Sequence, residues 1–237
     1  MGIPILIIGE SGTGKSTSIR NLTNAGIINV YGKPLPFKSS LKTIAIDDCK
    51  KIIELLKKAE ADVIVIDDFQ YLLVSQFMNR AMEKGYDKFT EMAKGYYDVI
   101  DTVRNLPNHK RVYFLSHSER DNFGNVKAKT IGKLLDEKVT VEGLFTIVLR
   151  TAVTEGNYYF QTHNSGQDTV KSPMDMFADE YIPNDLVEVD KVICEYYNLY
   201  PAPTAENTQQ KNPAAGKKNN TANNSQPNAN GNQNGGA

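Results

Sequence analysis

The apolar positions of this chain fall into short continuous runs, with amphipathic or polar stretches between them. Ile3–Ile8 is an isoleucine-rich run, Val63–Ile66 is wholly apolar, and Arg111–Ser116 carries four apolar residues in a row. Runs of this kind, continuous and not alternating, are expected of strands buried on both faces in a parallel sheet. Thr43–Ile46 reads as a further strand, and Ile27–Tyr31 as a short one before the turn-rich Gly32–Pro36. Asp47 or Asp48 can cap a helix running to Ala59, with Ile52, Ile53, Leu55 and Leu56 on one face and lysines opposite. Tyr71 to Leu106 reads as a long helical region broken near Gly85 or Gly95. Leu144–Val153 and Tyr158–His163 pattern as a hairpin about Glu155-Gly156-Asn157. Val187–Tyr197 reads as a closing helix. The alternation predicts an α/β domain: a parallel sheet flanked by helices, with a late antiparallel hairpin.

Composition divides the chain in two. From Pro201 onward the sequence is dominated by Asn, Gln, Ala, Gly and Pro, with no Val, Ile, Leu or aromatic residue. Such a segment cannot bury enough apolar surface to offset the entropy of ordering. The expected organisation is one domain over residues 1–200 and a disordered tail over 201–237. The tail carries Lys211, Lys217 and Lys218 against Glu206, which fits either a solubilising role or weak contacts to a nucleic acid or a partner. The net charge of −1 over 237 residues excludes a bulk polycation. Any nucleic-acid contact must use a local basic patch. Cys49 and Cys194 have no metal-ligand spacing and read as reduced thiols. No apolar stretch approaches the ~20 residues of a membrane helix, and the apolar run at the N-terminus is short and lacks a basic flank. The expectation is a cytoplasmic protein without membrane contact.

Gly9-Glu10-Ser11-Gly12-Thr13-Gly14-Lys15-Ser16 is a complete G-x-x-x-x-G-K-[ST] phosphate loop. It follows a predicted strand and precedes a segment, Lys15–Leu22, that is expected to be helical, which is the context the motif requires. Gly9, Gly12 and Gly14 allow positive φ and close backbone approach, so that several N–H groups can converge on phosphate oxygens. Residues Gly9 to Thr17 form the expected nucleotide cradle. Lys15, expected to be exposed to ligand, is to reach the β- and γ-phosphates, and Ser16 is to place its hydroxyl on Mg²⁺.

Val63-Ile64-Val65-Ile66-Asp67-Asp68 fits the strand that carries the second nucleotide-site motif. Its carboxylates fall at the strand's C-terminal edge, where open α/β sheets bind ligands. Asp67 is expected to hold Mg²⁺. Asp68 is either the group that polarises the attacking water or a simple cap for the next helix, with Glu10 and Asp47 as weaker alternatives for the base. His117 ends the strand Arg111–Ser116, the position where phosphate-loop ATPases of the RecA and AAA types place a polar sensor of the γ-phosphate. A surface histidine at a strand end is the plainer alternative. The polar, glycine-containing stretch Ser118–Gly132, read as a loop, and the next residue supply Arg120, Phe123, Lys127, Lys129 and Lys133. Basic groups around an aromatic ring suit single-stranded nucleic acid. Lys127 and Lys129 could instead reach a neighbouring subunit's γ-phosphate, or the stretch could be a solvated charged loop.

The phosphate loop, Ile66-Asp67-Asp68, Leu115-Ser116-His117, Thr130-Ile131-Gly132-Lys133 and the run Asp168–Phe177 resemble phage AAA-family ATPases with a RecA-like core, and among them the single-strand annealing proteins of the Sak-four type. The resemblance spans about residues 1 to 197. It implies a P-loop NTPase fold, ATP and Mg²⁺ as cofactors, catalytic roles for Lys15, Asp67, Asp68 and His117, and ATP-dependent binding and annealing of single-stranded DNA in recombination. It also implies a homo-oligomer and phage or host replication and recombination proteins as partners. Asp67-Asp68 departs from the Asp-Ser pair common in that family and is closer to helicase loaders, so a loader acting on a protein partner stays open. A small-molecule kinase would need a lid of arginines, and Arg20, Arg80, Arg104, Arg111, Arg120 and Arg150 are scattered.

Overall fold

The computed structural model describes residues 1–132 and 134–199. The expected tail, 201–237, and Lys133 lie outside the described residues. Nine strands are described: β1 Ile3–Gly9, β2 Ala25–Asn29, β3 Lys42–Ala45, β4 Val63–Asp67, β5 Arg111–Arg120, β6 Val126–Ala128, β7 Ile147–Thr154, β8 Asn157–Gln161 and β9 Tyr181–Pro183. The α-helices are α1 Cys49–Lys58, α2 Tyr71–Asn79, α3 Asp87–Arg104 and α4 Leu186–Tyr196.

The sheet order is β3-β2-β4-β5-β1-β7-β8-β9, with β6 paired to the far end of β5. Every pairing from β3 across to β7 is parallel, and β8 and β9 add antiparallel. The apolar runs divide by parity, as the two-residue period of a strand requires. Leu6, Ile8, Ile64, Ile66, Val112 and Phe114 face a core shared with Ile52 and Leu56 of α1, Leu72 of α2 and Tyr96, Val99 and Val103 of α3. Ile5, Ile7, Val63, Val65, Tyr113 and Leu115 face a second core closed by Ile19, Met176, Phe177 and by Leu186, Val189 and Ile193 of α4. Both faces are covered, which is why these runs have no polar alternation.

Several boundaries follow from local chemistry. Asp48 caps α1, accepting a hydrogen bond from the Lys51 N–H at 2.8 Å. The long helical region breaks at Gly85, whose φ is +97°, and not at Gly95. Gly95 lies inside α3, where a Cβ would make ordinary contact with Cys49 Sγ at 3.4 Å. Lys88 Nζ seals the end of α2 by donating to the carbonyls of Arg80 at 2.8 Å and Glu83 at 2.6 Å. Glu155 and Gly156 both have positive φ, 52° and 80°, the pattern of a two-residue hairpin turn between β7 and β8.

Two expectations are corrected. The helix expected over Lys15–Leu22 is a single 3₁₀ turn, Ser16–Ile19. Ser18 Oγ donates back to the Lys15 carbonyl at 2.6 Å, and β2 already begins at Ala25, so no longer helix forms. The loop expected over Ser118–Gly132 is largely a β-hairpin, because β5 continues past Ser116 to Arg120 and pairs antiparallel with β6. β9, three residues long, carries no sequence period that would have announced it.

Candidate active site

The parallel register brings the predicted chemistry to one edge. Gly9 at the end of β1 pairs with His117 on β5, and Asn29 at the end of β2 pairs with Asp67 on β4. β5 lies between the strand of the phosphate loop and the strand of the carboxylates. A cleft of about 280 Å³ opens there, lined by Ser11, Gly12 and Gly14 to Thr17 of the loop and by Asp67, Asp68, His117, Lys33 and Tyr158 among others. A wider hollow of about 720 Å³ lies elsewhere, between the start of β2, β3 and the end of α1. It has more volume but no phosphate loop and no paired carboxylates, so the chemistry places the candidate site in the smaller cleft.

The loop is held from inside. Gly12 and Gly14 have φ of 81° and 95°. Gly9 is required by contact: a Cβ there would lie 1.8 Å from Thr151 Oγ1. Thr13 Oγ1 donates to the Glu10 carbonyl at 2.7 Å and meets Thr151 Oγ1 at 2.5 Å. Lys15 lines the cleft but is only 6% accessible to solvent. Its Nζ donates to the carbonyls of Gly9 at 2.9 Å and Glu10 at 2.7 Å, folding the side chain back across the loop. Burial lowers its pKa to about 8, against the upward pull of Asp68 and Asp67.

Asp67 and Asp68 are adjacent, buried and opposite in character. Asp67 Oδ1 accepts from Ser16 Oγ at 3.0 Å and from the Asp68 N–H at 3.1 Å. Burial first, and then the neighbouring Asp68 charge, push its pKa up to about 6. Two hard oxygens, Ser16 Oγ and Asp67 Oδ1, converge in the cleft, the donor type that suits Mg²⁺. Asp68 has φ of +59°, and its carboxylate is taken up by Lys33 and His117. The cap reading fails accordingly: α2 starts after Gln70 without a side-chain cap. Asp68 Oδ2 meets Lys33 Nζ at 2.5 Å, and Oδ1 lies 3.7 Å from His117 Nε2. Burial alone would raise the Asp68 pKa, but His117 and Lys33 outweigh it and hold the carboxyl below its ordinary range. His117 is therefore no stray surface residue; its backbone N–H donates to Gln70 Oε1 at 3.1 Å and its side chain faces Asp68.

Lys33 is the residue that sequence reasoning missed. It stands in a Gly- and Pro-containing turn with no motif around it, and only the pairing of β2 with β4 carries that turn to Asp68. Of the weaker candidates for the base, Glu10 and Asp47 are both exposed, and neither carboxyl lines the cleft.

The β5–β6 hairpin leaves this cleft directly from His117. Asp121 organises its turn, accepting through Oδ1 from the N–H groups of Phe123 and Asn125, both at 2.8 Å. Phe123 stands 89% exposed at the tip. Arg120 Nε lies 3.9 Å from Glu10 Oε1, and Lys127 Nζ lies 3.7 Å from Glu119 Oε1. Lys129 is exposed, and its N–H donates to the His117 carbonyl at 2.8 Å. Buried Glu142 accepts from the Ala128 N–H at 2.6 Å, and the Val126 N–H donates to the Gln167 carbonyl at 2.9 Å. The late run Asp168–Phe177 thus begins beside the segment that anchors β6.

Among the described residues, no helix is long and apolar enough to cross a membrane. A search of the curated proteins gave no match. The sequence profile of the AAA domain family matches residues 1–174, a span that includes the phosphate loop, both carboxylates, His117 and the hairpin. The chain belongs to the AAA domain family, a family of P-loop ATPases that generally use ATP and Mg²⁺.

Proposed function

We propose that this protein is an ATP-hydrolysing recombination factor of phage type that binds and anneals single-stranded DNA. The observation that supports this reading is the course of β5. One strand carries His117, 3.7 Å from Asp68, and four residues later enters a braced turn that presents Phe123. A nucleotide-dependent change at the strand's middle has a short mechanical route to the tip, since successive strand residues rise only ~3.3 Å each. An exposed aromatic ring with Arg120 and Lys129 nearby suits unpaired bases and their phosphates.

In the cleft, the Gly9–Thr17 backbone and Lys15 bind the phosphates, and Ser16 and Asp67 would hold Mg²⁺, which when bound supplies charge neutralisation on the phosphate oxygens. Asp68 orients a water and takes its proton as the water oxygen bonds to the terminal phosphorus. The bond from that phosphorus to the bridging oxygen breaks, and ADP and phosphate leave. Copies of the chain assemble on DNA, and phage or host replication and recombination proteins are the further partners. The test is a gel shift with single- and double-stranded DNA, with and without ATP and Mg²⁺, beside strand-annealing and helicase-recruitment assays. Preferential, ATP-dependent binding to single strands with annealing supports the reading. Helicase recruitment without annealing would replace it with a loader, the role that Asp67-Asp68 resembles.

A further inference from the structure

Lys33 lies outside every motif and every strand, yet it reaches the centre of the cleft. The backbone takes it there. Asn29, buried at the end of β2, donates through Nδ2 to the Lys33 carbonyl at 2.6 Å and accepts the Gly32 N–H through Oδ1 at 2.8 Å. Gly32, at φ +73°, doubles the chain back over the cleft. The ammonium then lies 5.5 Å from the ring centre of Tyr71 and 5.8 Å from that of Tyr31. The pair it makes with Asp68 is lopsided: the lysine side chain is 50% exposed and the carboxylate 4%. The buried partner is fixed, and the lysine is the end that can move. Lys15, the other lysine lining this cleft among the described residues, is already engaged by the loop carbonyls.

We propose that Lys33 is a cis-acting ligand for the terminal phosphate, which gives up Asp68 when a nucleoside triphosphate fills the cleft and returns to it when a diphosphate does. This rests on the reading of the cleft as an ATP site. The physical basis is an exchange of ion pairs, with no covalent bond made or broken. A terminal phosphate carries more charge than a carboxylate and offers more acceptor oxygens. A lysine ammonium on a flexible four-carbon stem re-aims at little cost. A diphosphate has no group at that end of the cleft, so the Asp68 pair persists. Lys33 therefore gives one chain a means of telling ATP from ADP without a neighbouring subunit.

The test is calorimetric binding of ADP and of a non-hydrolysable ATP analogue, each with Mg²⁺, to the full chain and to Lys33→Ala and Lys33→Arg. Lys33→Ala should weaken the triphosphate analogue about tenfold or more and leave ADP within about twofold, the scale of one charge-assisted hydrogen bond. Lys33→Arg should keep most of the discrimination, since the cation is retained. ADP binding reports that each variant is folded. Equal losses for both nucleotides would make Lys33 a brace for its loop and overturn the proposal, as would unchanged discrimination in Lys33→Ala. A parent protein that binds neither nucleotide would overturn the ATP-site reading and this proposal with it.

Discussion

The phosphate-loop cleft and the β5–β6 hairpin share one strand and are assembled by opposite means. The cleft gathers residues from five separated segments, around 11–17, 29–36, 67–68, 117 and 158, and buries Lys15, Asp67 and Asp68. The hairpin is a single stretch of chain, braced at its turn by Asp121 and at its base by Glu142, with its ring and much of its charge in solvent. Those three cleft charges are desolvated, so burial and neighbours shift their pKa values and their loss should be felt strongly. On the hairpin each charge is screened, so single losses should be small and additive. The contrast teaches that one polar sheet edge can hold a chemical site and a contact surface, separated by burial.

Mutations should separate the two regions by size of effect. The largest effect is expected at Lys15. Lys15→Ala should reduce ATP hydrolysis by orders of magnitude, since removing such a preorganised charge costs ~3 kcal/mol or more of barrier. Phosphate-release kinetics measure this, and unchanged turnover would remove the loop from the chemistry. Next in size is the split between the carboxylates. Asp68→Asn should abolish turnover and leave ADP affinity near the parent's, whereas Asp67→Asn should raise the Mg²⁺ concentration needed for turnover. If Asp68→Asn hydrolyses normally while Asp67→Asn is dead, their roles are not divided in this way.

Burial of Lys15 also predicts a pH effect on stability. Its folded pKa of about 8 lies below the ordinary 10.5, so burial penalises the charged form in full below pH 8. Between those values the unfolded chain binds more protons than the folded one, and stability rises with pH. Without nucleotide, Lys15→Met should therefore melt above the parent at pH 7, by at most a few kcal/mol at about 1.4 kcal/mol per pKa unit. The advantage should fade as pH rises from about 8 to 10.5. A constant difference across that range would mean the charge is not desolvated.

The hairpin should respond more gently. Phe123→Ala should weaken single-stranded DNA binding by ~1–3 kcal/mol with little change in salt dependence, if the ring stacks on a base. Lys129→Ala should reduce the slope of log affinity against log salt by ~0.7, the single-strand value for one phosphate contact. Lys127→Ala should do less, because Glu119 already lies 3.7 Å from that ammonium. Filter binding over a salt series distinguishes the three. Equal binding by all of them would move the contact surface away from the hairpin.

Much of the fold was legible because its strands are buried on both faces. Ile3–Ile8 and Val63–Ile66 announce themselves as continuous apolar runs, and the Gly-Lys-Ser loop between strand and polar segment announces phosphate chemistry. Local backbone chemistry marks a helix start at Asp47 or Asp48 and a break near Gly85 or Gly95, and the structure selects Asp48 and Gly85. Ser118–Gly132 reads as a loop because its polar residues and glycines disfavour a buried strand, yet a three-residue strand needs only alternate apolar positions, here the buried Val126 and Ala128. The helix after the loop was overestimated because one turn was enough before β2 began.

What the sequence by itself determined is therefore whatever depends on neighbours along the chain: the phosphate loop, the strand-end carboxylates, the caps and the hairpin turn. Tertiary structure alone decided the rest. It turned Lys15 back onto the carbonyls of Gly9 and Glu10, set Asp67 and Asp68 in opposite electrostatic surroundings, and brought Lys33 to Asp68. The reason is physical. Propensity and period act over a few residues, whereas desolvation and charge pairing depend on which segments the parallel register places side by side. No local pattern at Lys33 records that β2 will lie against β4.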